Sequence, residues 1–209
     1  MKSKIFILIL TLCITSCATI ISYSPKVSLD TSSQTIKKTV KVLNFVDNVP
    51  IDDKKKPFGG YSVTDSESLA GNLSTEVTNA IVQDFNTNDV FTKISKNDDN
   101  PDFIIKGEII NFKGKYHPTI GAWITLPIDP IWFFGFPIMK DDINIQIKLS
   151  IYKKSGELVG EYYGKSFSTK LYNAYTNKIL GLPSRTNKQF SEAINQIRDK
   201  IILDKDKFN

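Results

Sequence analysis

The chain of 209 residues has very few of the side chains that supply nucleophiles or metal ligands: one His and two Cys. Both cysteines, Cys13 and Cys17, lie near the N-terminus, so the rest of the sequence can form neither a disulfide nor a zinc–thiolate site. The sequence also lacks a Gly-rich phosphate loop, His-Glu-x-x-His and Gly-x-Ser-x-Gly. We therefore predict that the protein is not an enzyme and has no cofactor and no metal site.

Long hydrophobic runs and strong charge are missing as well. The uncharged apolar run from Ile5 to Ile14 falls short of the ~20 residues that a spanning helix needs. The 27 basic and 22 acidic residues give a net charge of +5, too small an excess to indicate a nucleic-acid partner. With 41% apolar residues, the chain can fill the core of one domain.

The N-terminal segment is typical of an export signal. Lys2 and Lys4 precede the apolar run, and small residues follow it. The sequence Ile14-Thr15-Ser16-Cys17 resembles the bacterial lipobox, in which the cysteine thiol receives diacylglycerol before cleavage. We predict a lipoprotein signal peptide over residues 1–16 and a lipidated Cys17. The alternative is that Cys17 is only another small apolar residue.

Cleavage at this site would change the composition of the mature chain. Loss of Lys2 and Lys4 leaves 25 basic and 22 acidic residues, a net charge of +3. Ala18 follows the lipidated cysteine, and in enteric bacteria a residue other than Asp there favours the outer membrane. We therefore expect a lipid-anchored protein on the periplasmic face of the outer membrane.

Residues 17–36 are rich in Ser and Thr, contain Pro25, and show little periodicity. This composition predicts a flexible tether that holds a globular domain, residues 37–209, away from the membrane. The Lys54–Lys56 run lies in a predicted exposed loop over residues 47–64 and is either a solvated loop face or a contact for anionic lipid or phosphate.

Apolar periodicity predicts the elements of the domain. Strands are expected at 38–46, 90–94, 102–116, 143–151 and 157–167, with a bulge at Gly107 and a hairpin turn at 153–156. Helices are expected from Asp65 for about five turns and over 187–202. The order predicts an α+β single domain: a mostly antiparallel sheet of about five strands with two main helices packed on it.

The layout from Val40 to Tyr116 resembles a group of envelope lipoproteins and related proteins: CsgG, LpoB and the amino-terminal domain of TolB. The similar stretches are Val42–Phe45, the helix from Leu69 to Phe85, Val90–Ile94 and Pro101–Ile109. The resemblance implies a shared fold and an accessory or assembly role in the envelope, and it carries over no catalytic residue.

An insertion at 117–141 departs from that group and contains the strongest candidate for a functional surface. Its 121–139 stretch has both Trp, three Phe and three Pro, and Asp129 is its only charge. The prolines exclude a spanning helix, and aromatic side chains suit interfaces and membrane headgroups. The stretch either plugs the core, docks a protein or touches a membrane. The candidate contact residues are Trp123, Trp132, Phe133, Phe134 and Phe136.

Other candidates have simpler explanations. His117 has no motif neighbour and is expected in a loop or turn, and Ser150 and Lys153 should point to opposite faces of a strand. The acidic pairs at 52–53, 98–99 and 141–142 could hold a hard cation, but each is predicted at a turn, where Asp is common.

Two functions stay open. The first is a non-catalytic, lipid-anchored envelope component that binds a protein, self-assembles or touches the membrane surface. The second is a lipoprotein that carries a small hydrophobic ligand between sheet and helices, in a cavity lined by Phe103, Ile105 and Phe112.

Overall fold

The computed structural model describes residues 21–28, 35–125, 135–173, 175–176 and 179–209. The signal peptide and Cys17 lie outside these residues. The strands are β1 (Ile36–Val42), β2 (Val46–Asp47), β3 (Tyr61–Ser62), β4 (Phe91–Ser95), β5 (Phe103–Pro118), β6 (Met139–Lys153) and β7 (Leu158–Tyr172). The α-helices are α1 (Ile51–Lys54), α2 (Leu73–Thr87), α3 (Ile120–Thr125) and α4 (Leu182–Leu203), and short 3-10 turns at Ile179–Gly181 and Lys205–Phe208 flank α4.

The strands form one sheet in the order β4-β1-β5-β6-β7, and β2 and β3 pair with β5 beyond the end of β1. The long strands β5, β6 and β7 are antiparallel, whereas β1 runs parallel to both β4 and β5, and β2 runs parallel to β5. The predicted α+β single domain, a sheet with two main helices packed on it, is confirmed. The sheet contains both parallel and antiparallel pairs of strands.

One face of the sheet carries the core. The five predicted inward residues of β6 are all buried, as the period-two alternation requires: Ile143, Ile145, Ile147, Leu149 and Ile151. The stripe of α4 that faces the sheet is fully buried too: Phe190, Ile194, Ile197 and Ile201. A buried ion pair joins the two main helices, because Arg198 Nη1 lies 3.0 and 3.1 Å from the carboxylate oxygens of Asp84.

Helix α2 begins eight residues later than predicted. Asn72 caps its first turn by accepting a hydrogen bond from the Thr75 amide at 3.4 Å. Leu69, which fits the helical period, instead forms a bridge with Tyr23. The predicted exposed loop at 47–64 is also partly wrong, because β3 and the following Val63 are buried.

Gly107 is not a bulge. It pairs in register with Leu149, and the register shift of β5 lies between Ile109 and Asn111. The glycine instead makes room for a neighbouring ring, because a Cβ at this position would lie 2.2 Å from the ring of Phe45.

Residues 21–28, which fall within the predicted tether, pack against the domain. Tyr23 is 1% exposed, and its hydroxyl donates to Asn187 Oδ1 at 2.9 Å. Its ring lies 6.3 Å from that of Phe112, and the Ser28 amide donates to Ser191 Oγ at 2.8 Å. Buried aromatic area and these hydrogen bonds outweigh the local flexibility of a Ser/Thr-rich segment, so this part of 17–36 belongs to the folded domain.

Gly164 on β7 allows the closest approach of α4 to the sheet, because a Cβ there would lie 2.0 Å from the Ala193 carbonyl oxygen. We expect Gly164→Ala to lower the free energy of unfolding by about 1–3 kcal/mol, since backbone on both sides must move. Urea unfolding would measure the loss. The matched control is Gly121→Ala, where the nearest atom is 3.7 Å away and a change below ~0.5 kcal/mol is expected. Equal effects would contradict this account.

Candidate functional site

The connection between β5 and β6 leaves and returns at one end of the sheet. The Thr119 amide donates to the Ile138 carbonyl, and the Ile138 amide donates to the Tyr172 carbonyl, both at 2.9 Å. The predicted insertion is therefore too wide at both ends: residues 117–118 complete β5 and residues 139–141 begin β6, where His117 pairs with Lys140.

Exposed apolar side chains gather around this connection. Ile120 is 80% exposed, Leu180 is 70% exposed, and Phe136 and Leu171 are each 56% exposed. Leu171 pairs with Lys140 at the start of β6, and Leu180 lies in the 3-10 turn that precedes α4. Two exposed rings lie at the same end: Phe58, next to the Gly59–Pro118 contact, and Tyr175, just after β7. We call the surface formed by these six residues the apolar end: Phe58, Ile120, Phe136, Leu171, Tyr175 and Leu180.

Of the predicted contact residues, one belongs to this surface and a second lies close to it along the chain. Phe136 is one of the six residues of the apolar end. Trp123 lies in helix α3, three residues after Ile120. Trp132, Phe133 and Phe134 lie outside the described residues. Sequence reasoning did not single out Leu171 or Leu180. For Leu171 a signal existed, because the outward positions of an edge strand are normally polar.

Asp141 is fully buried beneath the apolar end, on the helix-covered face of the sheet. Its carboxylate accepts hydrogen bonds from the Tyr172 hydroxyl at 2.7 Å and the Lys170 amide at 2.9 Å, and it forms an ion pair with Arg185. The Arg185 guanidinium also lies over the Tyr172 ring, 5.2 Å from its centre. Burial and the bond to Asp141 raise the pKa of Tyr172. The network joins β6, β7 and the first turn of α4.

Asp142 points to the opposite face, because successive side chains alternate along a strand. Its carboxylate is 2.9 Å from Lys140 Nζ, 3.0 Å from His117 Nε2 and 3.0 Å from Thr169 Oγ1. Burial opposes ionisation, but the hydrogen bonds from Lys140, His117 and Thr169 outweigh it and lower the pKa of Asp142 to about 2. The predictions of a turn at 141–142 and a loop position for His117 are both wrong, since all three residues lie in paired strands.

Both ring nitrogens of His117 contact oxygen atoms of the chain itself. Nε2 lies 3.0 Å from the Asp142 carboxylate, and Nδ1 lies 3.1 Å from the Pro118 carbonyl oxygen. The imidazole therefore links the end of β5 to the start of β6.

The other acidic pairs bind neighbouring side chains. Asp52 forms an ion pair with Lys55, Asp53 accepts from Asn111 at 3.0 Å, and Asp98 lies 3.0 Å from Lys93. Within the described ranges, no three His, Cys, Asp or Glu side chains come together in a way that could hold a metal ion.

The space assigned to a hydrophobic ligand is occupied by side chains. Phe112 and Ile105 are fully buried, and the Phe112 ring lies 5.5 Å from that of Phe190. Phe103 packs edge-on against Phe208 at 5.3 Å. The cavity that would favour a ligand carrier is therefore not found at these three residues.

No protein-family model matches the chain, and no characterised protein matches its sequence. Its fold is similar to that of protein XCC0632 from Xanthomonas campestris, described as a DUF330 protein, with a TM-score of 0.54 and 8% identity over 90% of this chain and 96% of that one. Two weaker similarities are to the PelC dodecamer from Paraburkholderia phytofirmans (TM-score 0.35, 9% identity, 82% and 92% covered) and a candidate lipoprotein from Caulobacter crescentus (TM-score 0.31, 7% identity, 52% and 70% covered).

At 8% identity, the similarity to the Xanthomonas protein shows a shared fold alone. The comparisons do not support the narrower CsgG, LpoB and TolB group. Among the residues that the structure describes, no helix is both long and apolar enough to cross a membrane.

Arg185→Met should destabilise the domain by about 3–5 kcal/mol, because it leaves the Asp141 carboxylate buried without its cation. Thermal or urea unfolding would measure this loss. Lys153→Met, which removes an exposed ion pair with Glu157, serves as the control and should cost less than ~1 kcal/mol. If the two variants were equally stable, Asp141 would not depend on Arg185.

Asp142 should contribute to stability above its ordinary pKa near 3.8, and this contribution should be lost as the pH falls towards about 2. We expect Asp142→Asn to cost about 1 kcal/mol near neutral pH, a value that allows for solvent screening of a partly exposed group. The difference from the wild type should shrink as the pH falls and disappear only below about pH 2, where Asp142 is protonated in the folded state as well. Unfolding free energies measured across this range test the prediction, and a difference that does not change with pH would contradict it.

Proposed function

We propose that this protein is a lipid-anchored, non-catalytic accessory component of a bacterial envelope, and that the apolar end is its contact surface. The observation that carries the proposal is the group of exposed apolar side chains at the end of the sheet that also carries the aromatic connection. Exposed apolar patches on a folded domain mark surfaces that meet a protein or a membrane.

Anchoring is supported by the agreement of the signal and the lipobox at Cys17. Acyl chains contribute about 0.8 kcal/mol per buried methylene, so two or three long chains on one cysteine hold a protein at the membrane durably. Ala18 favours the outer membrane under the sorting rule of enteric bacteria, which supports a position on its periplasmic face.

A role through contacts rather than catalysis is supported by how the titratable side chains are used. Asp141 and Asp142 hold strands and α4 together, and His117 has both ring nitrogens occupied. Ser150 donates to Glu161 at 3.2 Å, while Lys153 pairs with Glu157. These partners give the groups structural roles.

Replacing the lipidated residue tests the anchoring. Cys17→Ser removes the thiol that receives the lipid, so we expect the protein to lose its diacylglycerol mass and to leave the detergent-soluble membrane fraction. Mass spectrometry of the N-terminal peptide and membrane fractionation measure this. The matched control is Cys13→Ser, inside the signal, which should leave both readouts unchanged. The proposal would be overturned if the two variants fractionated identically and Cys17 of the Cys13→Ser variant carried no lipid.

A further inference from the structure

The described chain begins beside the apolar end. The carbonyl oxygen of Ile21 accepts a hydrogen bond from the Tyr61 hydroxyl at 2.7 Å. Tyr61 pairs with Tyr116, two residues before β5 ends at Pro118. Ile21 is therefore fixed near the point where the β5–β6 connection starts.

The following residues run away from that end. Tyr23 lies against Phe112, which is four residues of β5 further from the connection than Tyr116. The Ser28 amide is bound to Ser191, in the middle of α4. From Ser28 back to Ile21, the described backbone therefore runs towards the apolar end. Only three residues lie between Cys17 and Ile21, so the four steps from one to the other reach at most about 14 Å.

We propose that the apolar end lies against the membrane surface and fixes the orientation of the domain, with the long strands rising away from the bilayer. This inference rests on the proposed lipid anchor at Cys17. Since the lipid chains are held within this short reach, the anchor presents the membrane to the apolar end at a high effective concentration.

The side chains of this surface suit the interface between headgroups and acyl chains. Ile120, Leu171 and Leu180 offer apolar area, and apolar surface with flanking cations is typical of protein faces that lie on membranes. Lys56, two residues before Phe58, is exposed and can supply a flanking cation for lipid phosphates. Lys170 is exposed at the same end, and its ammonium lies over the Tyr172 ring, 5.6 Å from the ring centre.

The two carboxylates at the start of β6 do not oppose this contact. Asp141 is buried with Arg185, and Asp142 is paired with Lys140 and His117. A bilayer with phosphate headgroups therefore meets a surface on which these carboxylates are already neutralised by partners.

The opposite end of the domain provides matched controls. Leu158 begins β7 and is 48% exposed, and Leu203 ends α4 and is 81% exposed. Helix α4 has 22 residues, so Leu203 lies roughly 30 Å from the start of the helix next to Leu180. Leu158 and Leu203 thus carry the same side chain as Leu171 and Leu180, and the two pairs lie at opposite ends of the domain.

Single-cysteine labelling of the full-length lipidated protein tests the orientation, because the mature chain has no cysteine besides Cys17. The variants are Leu171→Cys, Leu180→Cys, Leu158→Cys and Leu203→Cys, each carrying an environment-sensitive fluorophore. They are reconstituted in vesicles of phosphatidylethanolamine and phosphatidylglycerol. Quenching by spin-labelled lipid and by a water-soluble quencher is then compared.

We expect the labels at positions 171 and 180 to be blue-shifted and quenched several-fold more by spin-labelled lipid than those at 158 and 203. If all four labels emit and are quenched as in water while Cys17 is lipidated, the inferred orientation is overturned. The proposed function would then stand. Labels at 171 and 180 that are shielded from lipid but cross-link between copies would overturn it in favour of self-assembly. Absence of lipid on Cys17, checked by mass spectrometry of the same samples, would contradict both proposals.

Discussion

The antiparallel pairing of β5 with β6 is the constraint on which the rest of the structure depends. The register runs from Phe103 opposite Lys153 to Pro118 opposite Met139, so the two strands share almost their full length. This ladder sends the connection between them out at one end of the sheet. It also sets which face each side chain of β6 occupies, because a shift by one residue would reverse every side chain.

The two adjacent aspartates of β6 show the consequence. The register directs Asp141 towards α4, where Arg185 and Tyr172 complete a buried network, and Asp142 towards the open face, where His117 and Lys140 pair with it. Leaving either charge unpaired in a partly or fully buried position would be unfavourable. The two networks thus connect the strands beneath the apolar end on both faces of the sheet.

The periodic elements could be predicted from the sequence, and the contacts between distant segments could not. The alternation at 143–151 and the stripe of Phe190, Ile194, Ile197 and Ile201 indicated β6 and α4 because those patterns repeat at the period of a single element. The partner of His117 lies 25 residues away on another strand, and Tyr23 reaches Asn187 across 164 residues. No local pattern encodes such pairs. For the same reason Leu69 fitted a helical stripe and yet pairs with Tyr23.

The sequence by itself determined the scarcity of Cys and His and the α+β order of elements, and it is the sole basis for predicting a signal and a lipobox, because each depends on composition or on neighbours along the chain. Only the tertiary structure decided that residues 21–28 belong to the domain and that Leu171 and Leu180 join Ile120 and Phe136 at one end. Burial of an aromatic ring and the register of long strands act between segments far apart in sequence. They bring the start of the described chain and the exposed apolar side chains to the same end of the molecule.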